Sequence, residues 1–333
     1  MHDSSSSVPV VSVVIITYRH ARFIRRCVEG ALAQQTAFPF EILIGEDESD
    51  DGTRELCLEL AAAHPERVRV LLHRRADAVI VDGKPRGTHN LVATIAEARG
   101  EFVALCEGDD YWTDPEKLAR QVAYLRANRD CVGCFHEARE VDADDREVRA
   151  ENFKPQMAKL QEKYDQRDCL LKLMSRYPTC SLMFRREAFR TPPEWYLRRS
   201  SDFMFDLVIT EQGKLGFIDR NMAAYRRHAG GVWSSQPVVA HIVEQVTRFK
   251  HLLNVPRWRE RYGKELLAGM ETFQGLLVHR GEVAALQQQL AQRTQQVEEL
   301  VAERSKLIAF VEKQHAIIKR LQAAPTMSRV GGA

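Results

Sequence analysis

The segment Phe102–Trp112, FVALCEGDDYW, is the most informative part of this chain for its fold class. An apolar run from Phe102 to Cys106 is followed at once by three carboxylates around one glycine. The run predicts a strand buried on both faces, as in a parallel sheet. Ligands of open α/β sheets bind beyond the carboxyl ends of the strands, which is where these carboxylates would lie. The alternative is an acidic turn leading into a helix that begins near Asp114 and Pro115.

Apolar runs and amphipathic helix patterns alternate along the first hundred residues. This alternation predicts an α/β domain with a mostly parallel, Rossmann-like sheet and flanking helices. Because crossovers between parallel strands are right-handed, Tyr18, Asp47 and the acidic segment at Asp109 are expected to face one crevice. The predicted strands are Val10–Thr17, Phe40–Gly45, Val68–Leu72 and Phe102–Cys106, and the predicted helices are Phe23–Leu32, Arg54–Ala63 and Asn90–Ala98.

Weaker patterns continue the same domain to about residue 235. The segment 141–163 is polar, and we expect a loop with a short helix there. The other predicted elements are a helix at Pro115–Asn128, strands at Cys131–Phe135 and Tyr177–Phe184, a helix at Phe203–Glu211, and a turn with a strand over Gly213–Tyr225.

The C-terminal part, from about Pro237, has a helical pattern throughout. Between Val283 and Leu321 apolar residues recur every seven residues, which predicts a coiled coil and a homo-oligomer formed through it. The alternative is a long helix packed back on the domain. The predicted organisation is a disordered lead-in at 1–8, a domain at 9–235, a helical connector at 236–280, a coiled coil at 281–322 and a disordered tail at 323–333.

Composition narrows the class of protein. The formal net charge is only +2 and Lys and Arg are scattered, which argues against nucleic-acid binding. No apolar run approaches the roughly 18 residues of a transmembrane helix, and the N-terminus lacks the features of a signal peptide. Peripheral membrane association stays compatible with the sequence. The seven cysteines lie mostly in or beside apolar patterns, so we expect a reducing, cytoplasmic location.

Four motifs stand out along residues 9–235. They are Val11–Tyr18, VSVVIITY; Glu46–Thr53, EDESDDGT; Glu107–Asp110, EGDD; and Ser201-Asp202 with the later segments Gly213–Asp219 and Tyr225–His228. Taken together and in order, they resemble the motifs of family 2 glycosyltransferases of the bacterial surface-glycan type, which have the GT-A fold, and EGDD is similar to the family's DxD metal motif. Glu46, Glu48 and Glu107 depart from the family's commoner Asp, Gly and Asp.

The resemblance implies transfer of a sugar, with inversion, from a nucleotide-sugar donor, expected to be a UDP-sugar, to a hydroxyl group. The acceptor would be a glycan, a lipid-linked glycan or a protein. A divalent cation, Mn²⁺ or Mg²⁺, would be held by Asp109 and Asp110, and His228 would be a further ligand or would contact the diphosphate. Asp202 is the expected general base, with Asp206 as its rival. Asp202 is also a good candidate for the N-cap of a helix.

Donor binding involves a larger set of candidates. Asp47 can accept the N3–H of uracil, and Tyr18 can flank the ring. Lys84 and Arg86 are candidates for diphosphate oxygens, with plain surface positions as the alternative. Glu107 would meet the ribose or a metal-bound water. The full predicted set is Thr17, Tyr18, Arg19, Asp47, Lys84, Arg86, Glu107 and Asp109.

Two other functions remain open at this point. A sugar nucleotidyltransferase would carry a glycine-rich phosphate loop after its first strand, and Thr17-Tyr18-Arg19 contains no glycine. The other is a non-catalytic coiled-coil scaffold with a degenerate transferase domain. Against it stand the retained candidates Asp109 and Asp202.

Overall fold

The computed structural model describes residues 8–81, 84–157, 159–174, 176–231 and 237–322. The strands are β1 Val11–Thr17, β2 Phe40–Glu46, β3 Val68–Leu72, β4 Val79–Val81, β5 Lys84–Arg86, β6 Phe102–Glu107, β7 Tyr111–Trp112, β8 Cys131–Val141, β9 Glu147–Arg149, β10 Lys163–Tyr164, β11 Met183–Arg185 and β12 Lys214–Arg226. The helices are α1 Ile24–Leu32, α2 Thr53–Ala63, α3 Thr88–Ala96, α4 Lys117–Ala127, α5 Gln166–Asp168, α6 Glu194–Arg198, α7 Asp202–Ile209, α8 Val238–Leu253 and α9 Pro256–Gln322. The predicted alternation of the first hundred residues is confirmed.

A single large sheet organises the domain, with the strand order β10-β12-β8-β11-β6-β1-β2-β3. Strands β3, β2, β1 and β6 are mutually parallel, and β8 is parallel to β12. Strand β11 is antiparallel to both of its neighbours, β6 and β8. The α/β class with a mostly parallel sheet and flanking helices is therefore confirmed.

The strand register brings the carboxyl ends of several strands to one edge. Thr17 of β1 pairs with Glu46 of β2, and Ile16 pairs with Glu107 of β6. Strand β11 is antiparallel to both β6 and β8, so β6 and β8 point the same way. Strand β12 is parallel to β8 and therefore also points the same way as β6, and it ends at Arg226. The segments that follow β1, β2, β6 and β12 consequently leave the sheet at this common edge.

Helices cover both faces of the sheet. Alternate residues of β1 divide between the two cores, with Val13 and Ile15 under α1, α2 and α4, and Val14 on the face of α3 and α7. This is the double burial expected of a β-branched central strand. Phe249 of α8 and Trp258 of α9 are buried in the second core, so the connector predicted for 236–280 packs on the domain in its first half.

Beyond that contact, α9 continues as one long helix, with a non-helical backbone at Tyr262 (φ −134°, ψ 19°). Leu307, one of the heptad positions, is 59% exposed. The helix is the element a coiled coil requires, and its pairing stays a prediction. Within the described residues, none of the helices combines the length and apolarity needed to cross a bilayer. Of the predicted disordered ends, 1–8 and 323–333, all residues except Val8 lie outside the described part of the chain.

Two predicted segments differ from the structure. The strand predicted at Tyr177–Phe184 is a 3₁₀ turn, Thr179–Ser181, followed by the short β11. Pro178 precedes that turn, and its carbonyl accepts hydrogen bonds from both the amide and the hydroxyl of Ser181, which bends the chain away from the sheet. The loop with a short helix predicted at 141–163 contains a 3₁₀ helix, Lys154–Gln156, but also the strand β9, which pairs antiparallel with the end of β8.

Candidate active site

The turn after β6 is built around Gly108. A Cβ at this position would lie 2.5 Å from Oγ1 of Thr17 and 2.9 Å from Nδ1 of His20, closer than real side chains approach. The amide of Gly108 donates a hydrogen bond to the carbonyl of Ile16 at 2.9 Å. Glycine therefore lets the acidic turn pack directly against the turn that follows β1.

Three side chains from distant parts of the chain meet at this point. Oδ2 of Asp109 lies 3.0 Å from Nε2 of His228 and 3.8 Å from Nε2 of His20. One ligand atom from each of the three residues lies within 4.8 Å of the others, which makes them a candidate metal site among the described residues. We call His20, Asp109 and His228 the His–Asp–His cluster.

The protonation states of the cluster suit a cation. Burial lowers the pKa of His20, so its imidazole is neutral near pH 7 and offers a lone pair. Burial alone would raise the pKa of Asp109, but the hydrogen bond from His228 and the nearby His20 hold that pKa below its ordinary value. The site thus combines an ionised carboxylate with imidazole nitrogen, the donor types of transition-metal sites.

His20 was missed by sequence reasoning. Its only signal was its position, three residues after the end of a strand that borders the acidic strand. Asp110, by contrast, was predicted as a metal ligand and lies outside the cluster. Its Oδ1 accepts a hydrogen bond from the amide of Arg226 at 2.7 Å, and burial beside the charge of Asp109 raises its pKa well above the ordinary value.

Glu107 is the last residue of β6 and directly precedes the acidic turn. Burial raises its pKa far above the ordinary value, and the charges of Asp110, Asp202 and Asp109 add to this effect. Its Oε2 atom is buried and has no hydrogen-bond partner among the described residues. Because the electrostatic influence of both Asp109 and Asp202 reaches Glu107, these carboxylates share one region of the molecule.

Asp202 is the first residue of α7. The N-cap is Ser201, whose hydroxyl accepts a hydrogen bond from the amide of Met204 at 3.3 Å, so the N-cap alternative for Asp202 is wrong. The side chain of Asp202 lines a recess and is open to solvent there. The protein around the recess excludes part of the water from the carboxylate, and this desolvation raises its pKa. The charge of Arg248 and a hydrogen bond from Thr179 limit the rise. A carboxylate of raised pKa on a capped helix start is a suitable proton acceptor.

Asp206, the rival candidate, has a different environment. It is buried, and the hydroxyl of Tyr177 donates a hydrogen bond to its Oδ1. This contact ties α7 to the segment before the Thr179–Ser181 turn. Asp206 therefore holds the structure around Asp202 together.

Asp47 and Tyr18 are joined by a residue that sequence reasoning did not single out. Arg75 forms an ion pair with Oδ2 of the buried Asp47. The same guanidinium lies 4.2 Å from the centre of the Tyr18 ring. The predicted nearness of Tyr18 and Asp47 is thus realised through Arg75, which follows β3 and had no distinguishing sequence signal.

The remaining donor-binding candidates lie in varied places. Arg19 is exposed and pairs with both carboxylate oxygens of Asp50, at 2.7 and 2.6 Å. Oγ1 of Thr17 is buried, with no hydrogen-bond partner among the described residues. Lys84 and Arg86 belong to the hairpin strand β5, and their side chains lie outside the described part of the chain.

The sequence of this chain matches known proteins over the same region. Residues 12–191 match the family model described as Glycosyl transferase family 2. The chain is 34% identical over 232 residues to the uncharacterized protein Rv1520 of Mycobacterium tuberculosis, covering 68% of this chain and 61% of that protein. It is 28% identical over 226 residues to an uncharacterized glycosyltransferase, alr2836, of Nostoc sp., covering 66% of this chain and 65% of that one. The match thus spans somewhat under two thirds of each relative.

Solved structures share the architecture. The structure resembles that of S. aureus TarS 1-349 in complex with UDP-GlcNAc, with a TM-score of 0.51 and 18% identity. The similarity covers 73% of this chain and 66% of that one. At this identity the likeness establishes the fold. The chain belongs to glycosyl transferase family 2, and its sheet and helices form the GT-A fold.

Proposed function

We propose that this protein is a metal-dependent, inverting glycosyltransferase of glycan biosynthesis that uses a nucleotide-sugar donor. The observation that carries the proposal is the His–Asp–His cluster at the sheet edge where the turns after β1 and β6 meet. Family membership supports the reaction class. The relative from Nostoc is named a glycosyltransferase, and S. aureus TarS was solved with UDP-GlcNAc.

His20, Asp109 and His228 would hold the divalent cation. When bound there, the ion would neutralise the charge that develops on the leaving diphosphate. Two imidazoles and one carboxylate favour Mn²⁺ over Mg²⁺, because Mg²⁺ prefers oxygen ligands throughout. Asp110 supports the turn through the amide of Arg226 instead of contributing a ligand.

The donor's base would lie beside Tyr18 and Asp47. Arg75 pairs with Oδ2 of Asp47, so we expect Oδ1 to accept the N3–H of a uracil. Tyr18 would flank the uracil ring, while Arg75 contacts the Tyr18 ring itself. Thr17 ends β1 and Arg19 lies in the turn that follows. We propose that these two residues, together with Lys84 and Arg86, contact the ribose and the diphosphate. Glu107, whose pKa is raised, would donate a hydrogen bond to an oxygen of the nucleotide sugar.

Asp202 would be the general base. Its carboxylate takes the proton of the acceptor hydroxyl while that oxygen forms the new bond to the anomeric carbon. The bond between the anomeric carbon and the phosphate oxygen breaks on the opposite face, and the nucleoside diphosphate leaves with the electron pair. The charge of Arg248 and the hydrogen bond from Thr179 oppose the rise in the pKa of Asp202 and so favour its ionised form.

The acceptor is proposed to be a glycan, a lipid-linked glycan or a protein. We further propose that residues 281–322 of α9 pair with a second copy of the chain. The exposed apolar residues Leu307 and Ile308 are consistent with such pairing. A cytoplasmic location remains a prediction.

A panel of nucleotide sugars tests the function. We expect one member to be hydrolysed or transferred in the presence of Mn²⁺, and its nucleoside diphosphate to bind by calorimetry only weakly in EDTA. Absence of any metal-dependent nucleotide binding would contradict the proposal and favour a scaffold. The matched control is the His20→Gln, His228→Gln double variant, which lacks both imidazoles and should lose the Mn²⁺ dependence.

A further inference from the structure

We infer that Arg226 is a positioning residue that sets the geometry of the metal site, and that the turn between β8 and β9 anchors it. This inference rests on the proposed metal-dependent function. Arg226 ends β12 and lies two residues before His228. Its side chain is 2% exposed, and a charge that is buried so fully must be compensated by its surroundings.

The first set of contacts holds the acidic turn. Nε of Arg226 donates a hydrogen bond to the backbone carbonyl of Asp109 at 2.8 Å. The backbone amide of the same residue donates to Oδ1 of Asp110 at 2.7 Å. One residue thus fixes both the main chain that carries Asp109 and the carboxylate beside it.

The second set anchors the guanidinium from behind. Nη1 donates to the carbonyl of Asp142 at 2.9 Å, and Nη2 donates to Oδ1 of Asp145 at 2.6 Å. Both acceptors belong to the turn between β8 and β9. Asp145 also pairs with Arg26 of α1 at 2.6 Å, so the turn is tied to the first helix as well.

The third set reaches His228 through an aromatic ring. The guanidinium of Arg226 lies 4.6 Å from the centre of the Phe23 ring and 5.4 Å from that of Tyr111. The same Phe23 ring lies 4.9 Å from the imidazole of His228. Arg226 and His228 therefore share one packing surface, and a shift of the first displaces the second.

These contacts use the directional donors of a planar guanidinium. A lysine at position 226 keeps the charge, but its compact ammonium cannot reach the carbonyl of Asp109 and the turn acceptors together. Loss of such outer hydrogen bonds around metal ligands typically lowers metal affinity by about 10- to 100-fold. We expect Arg226→Lys to weaken Mn²⁺ binding by that factor.

Asp145 supplies a second and milder variant. Its φ of 65° lies in the left-handed region, where Asn is among the best-tolerated residues, so Asp145→Asn removes the charge without straining the turn. Asp144 of the same turn is the matched control. It is half exposed, and its partners are the exposed Arg22 and Arg146, so Asp144→Asn should change Mn²⁺ affinity by no more than about twofold.

The experiment is calorimetric titration of Mn²⁺ into the full chain saturated with UDP, for the wild type and these three variants. We expect Arg226→Lys to weaken Mn²⁺ binding at least about tenfold and Asp145→Asn to weaken it several-fold. UDP affinity in EDTA should be unchanged in both. Excess Mn²⁺ should restore nucleotide-sugar turnover in Arg226→Lys.

The outcomes separate this inference from the proposed function. If the wild type binds Mn²⁺ and both variants bind it equally well, Arg226 has no positioning role. A lowered melting temperature with unchanged Mn²⁺ affinity would likewise overturn the inference, because it describes a purely structural residue. If Arg226→Lys fails to fold, the Mn²⁺ affinities of Asp145→Asn and Asp144→Asn are compared instead. Equal affinities of these two variants would overturn the inference. Failure of the wild type to bind Mn²⁺ would overturn the metal-dependent function itself.

Discussion

Asp109 accepts a hydrogen bond from His228 at 3.0 Å, although the two residues lie 119 positions apart in the chain. The contact joins the turn after β6 to the segment after β12. Its geometry depends on β6 and β12, which lie on opposite sides of β11 and point in the same direction. The candidate active site is therefore a product of sheet topology.

The two neighbouring aspartates can be distinguished. We expect Asp109→Asn to weaken Mn²⁺ binding more than the roughly 100-fold typical of a lost outer hydrogen bond, because an ionised ligand disappears. Asp110→Asn should have a small effect, since the amide oxygen can still accept the hydrogen bond from Arg226 and the native carboxyl has a raised pKa. Calorimetry with Mn²⁺ and UDP measures both. Equal losses in the two variants would restore Asp110 as a ligand.

Asp202→Asn should lower kcat by about 10²-fold or more while donor affinity stays nearly intact. Desolvation by the protein around the recess raises the pKa of Asp202, and activity requires its ionised form. Activity of the wild type should therefore fall as pH decreases through a midpoint above about 3.9, the ordinary value for Asp.

Asp206→Asn is the matched variant for that experiment. It should lower the melting temperature, because the hydrogen bond from Tyr177 is weakened in a buried site, and it should retain turnover. An Asp202→Asn variant with wild-type kcat, or an Asp206→Asn variant that folds and is inactive, would remove Asp202 as the base.

Gly108→Ala tests the close packing of the two turns. Its Cβ would lie 2.5 Å from Oγ1 of Thr17, so we expect a loss of about 1–3 kcal/mol in the free energy of unfolding and weaker Mn²⁺ binding. Gly275→Ala is the control, because a Cβ there meets no atom within 4 Å and the residue lies in α9. That change should be neutral or stabilise by up to about 1 kcal/mol in urea unfolding. Similar stability of both variants would contradict the packing argument.

Lys117 predicts a pH dependence of stability. Its side chain is fully buried, with Nζ 3.8 Å from the centre of the Trp112 ring and 2.7 Å from Oε1 of Gln121. Burial lowers its pKa to about 8. As pH rises above 8, the folded protein releases this proton before the unfolded chain does, so the free energy of unfolding increases.

Between pH 7 and pH 10 we expect the wild type to gain about 2 kcal/mol relative to Lys117→Met, which has no such group. Urea unfolding at several pH values measures this difference. Lys163→Met is the control, because that lysine is partly exposed and paired with Asp130, which raises its pKa. A constant difference between the wild type and Lys117→Met across this range would rule out a neutral Lys117 at high pH.

Truncation after Arg280 should leave a folded domain of lower oligomeric mass. The packing of Phe249, Trp258 and Leu266 in the core lies entirely before that point. Light scattering compares the full chain with the truncated one, and Mn²⁺ titration checks that the site is retained. A monomeric full chain would show that α9 does not mediate self-association.

Some of the site was within reach of sequence reasoning. Asp47, Asp109 and Asp202 are candidates from the sequence because each follows or begins an element with a clear pattern, and their roles stay predictions. His20 and Arg75 were not, because turn residues carry no periodicity and their partners are remote in sequence. The sequence assigned both Asp109 and Asp110 to the metal, because nothing in the sequence distinguishes two adjacent aspartates.

The alternation of strands and helices follows from the sequence alone, since β-branched runs and amphipathic periods are local properties that hold wherever the chain goes. The acidic turn after β6 follows from the sequence as well. The fold, by contrast, brings Asp109 to His20 and His228 and brings Asp110 to the amide of Arg226. Side-chain direction and ionisation depend on partners supplied by other strands, and no local pattern encodes those partners.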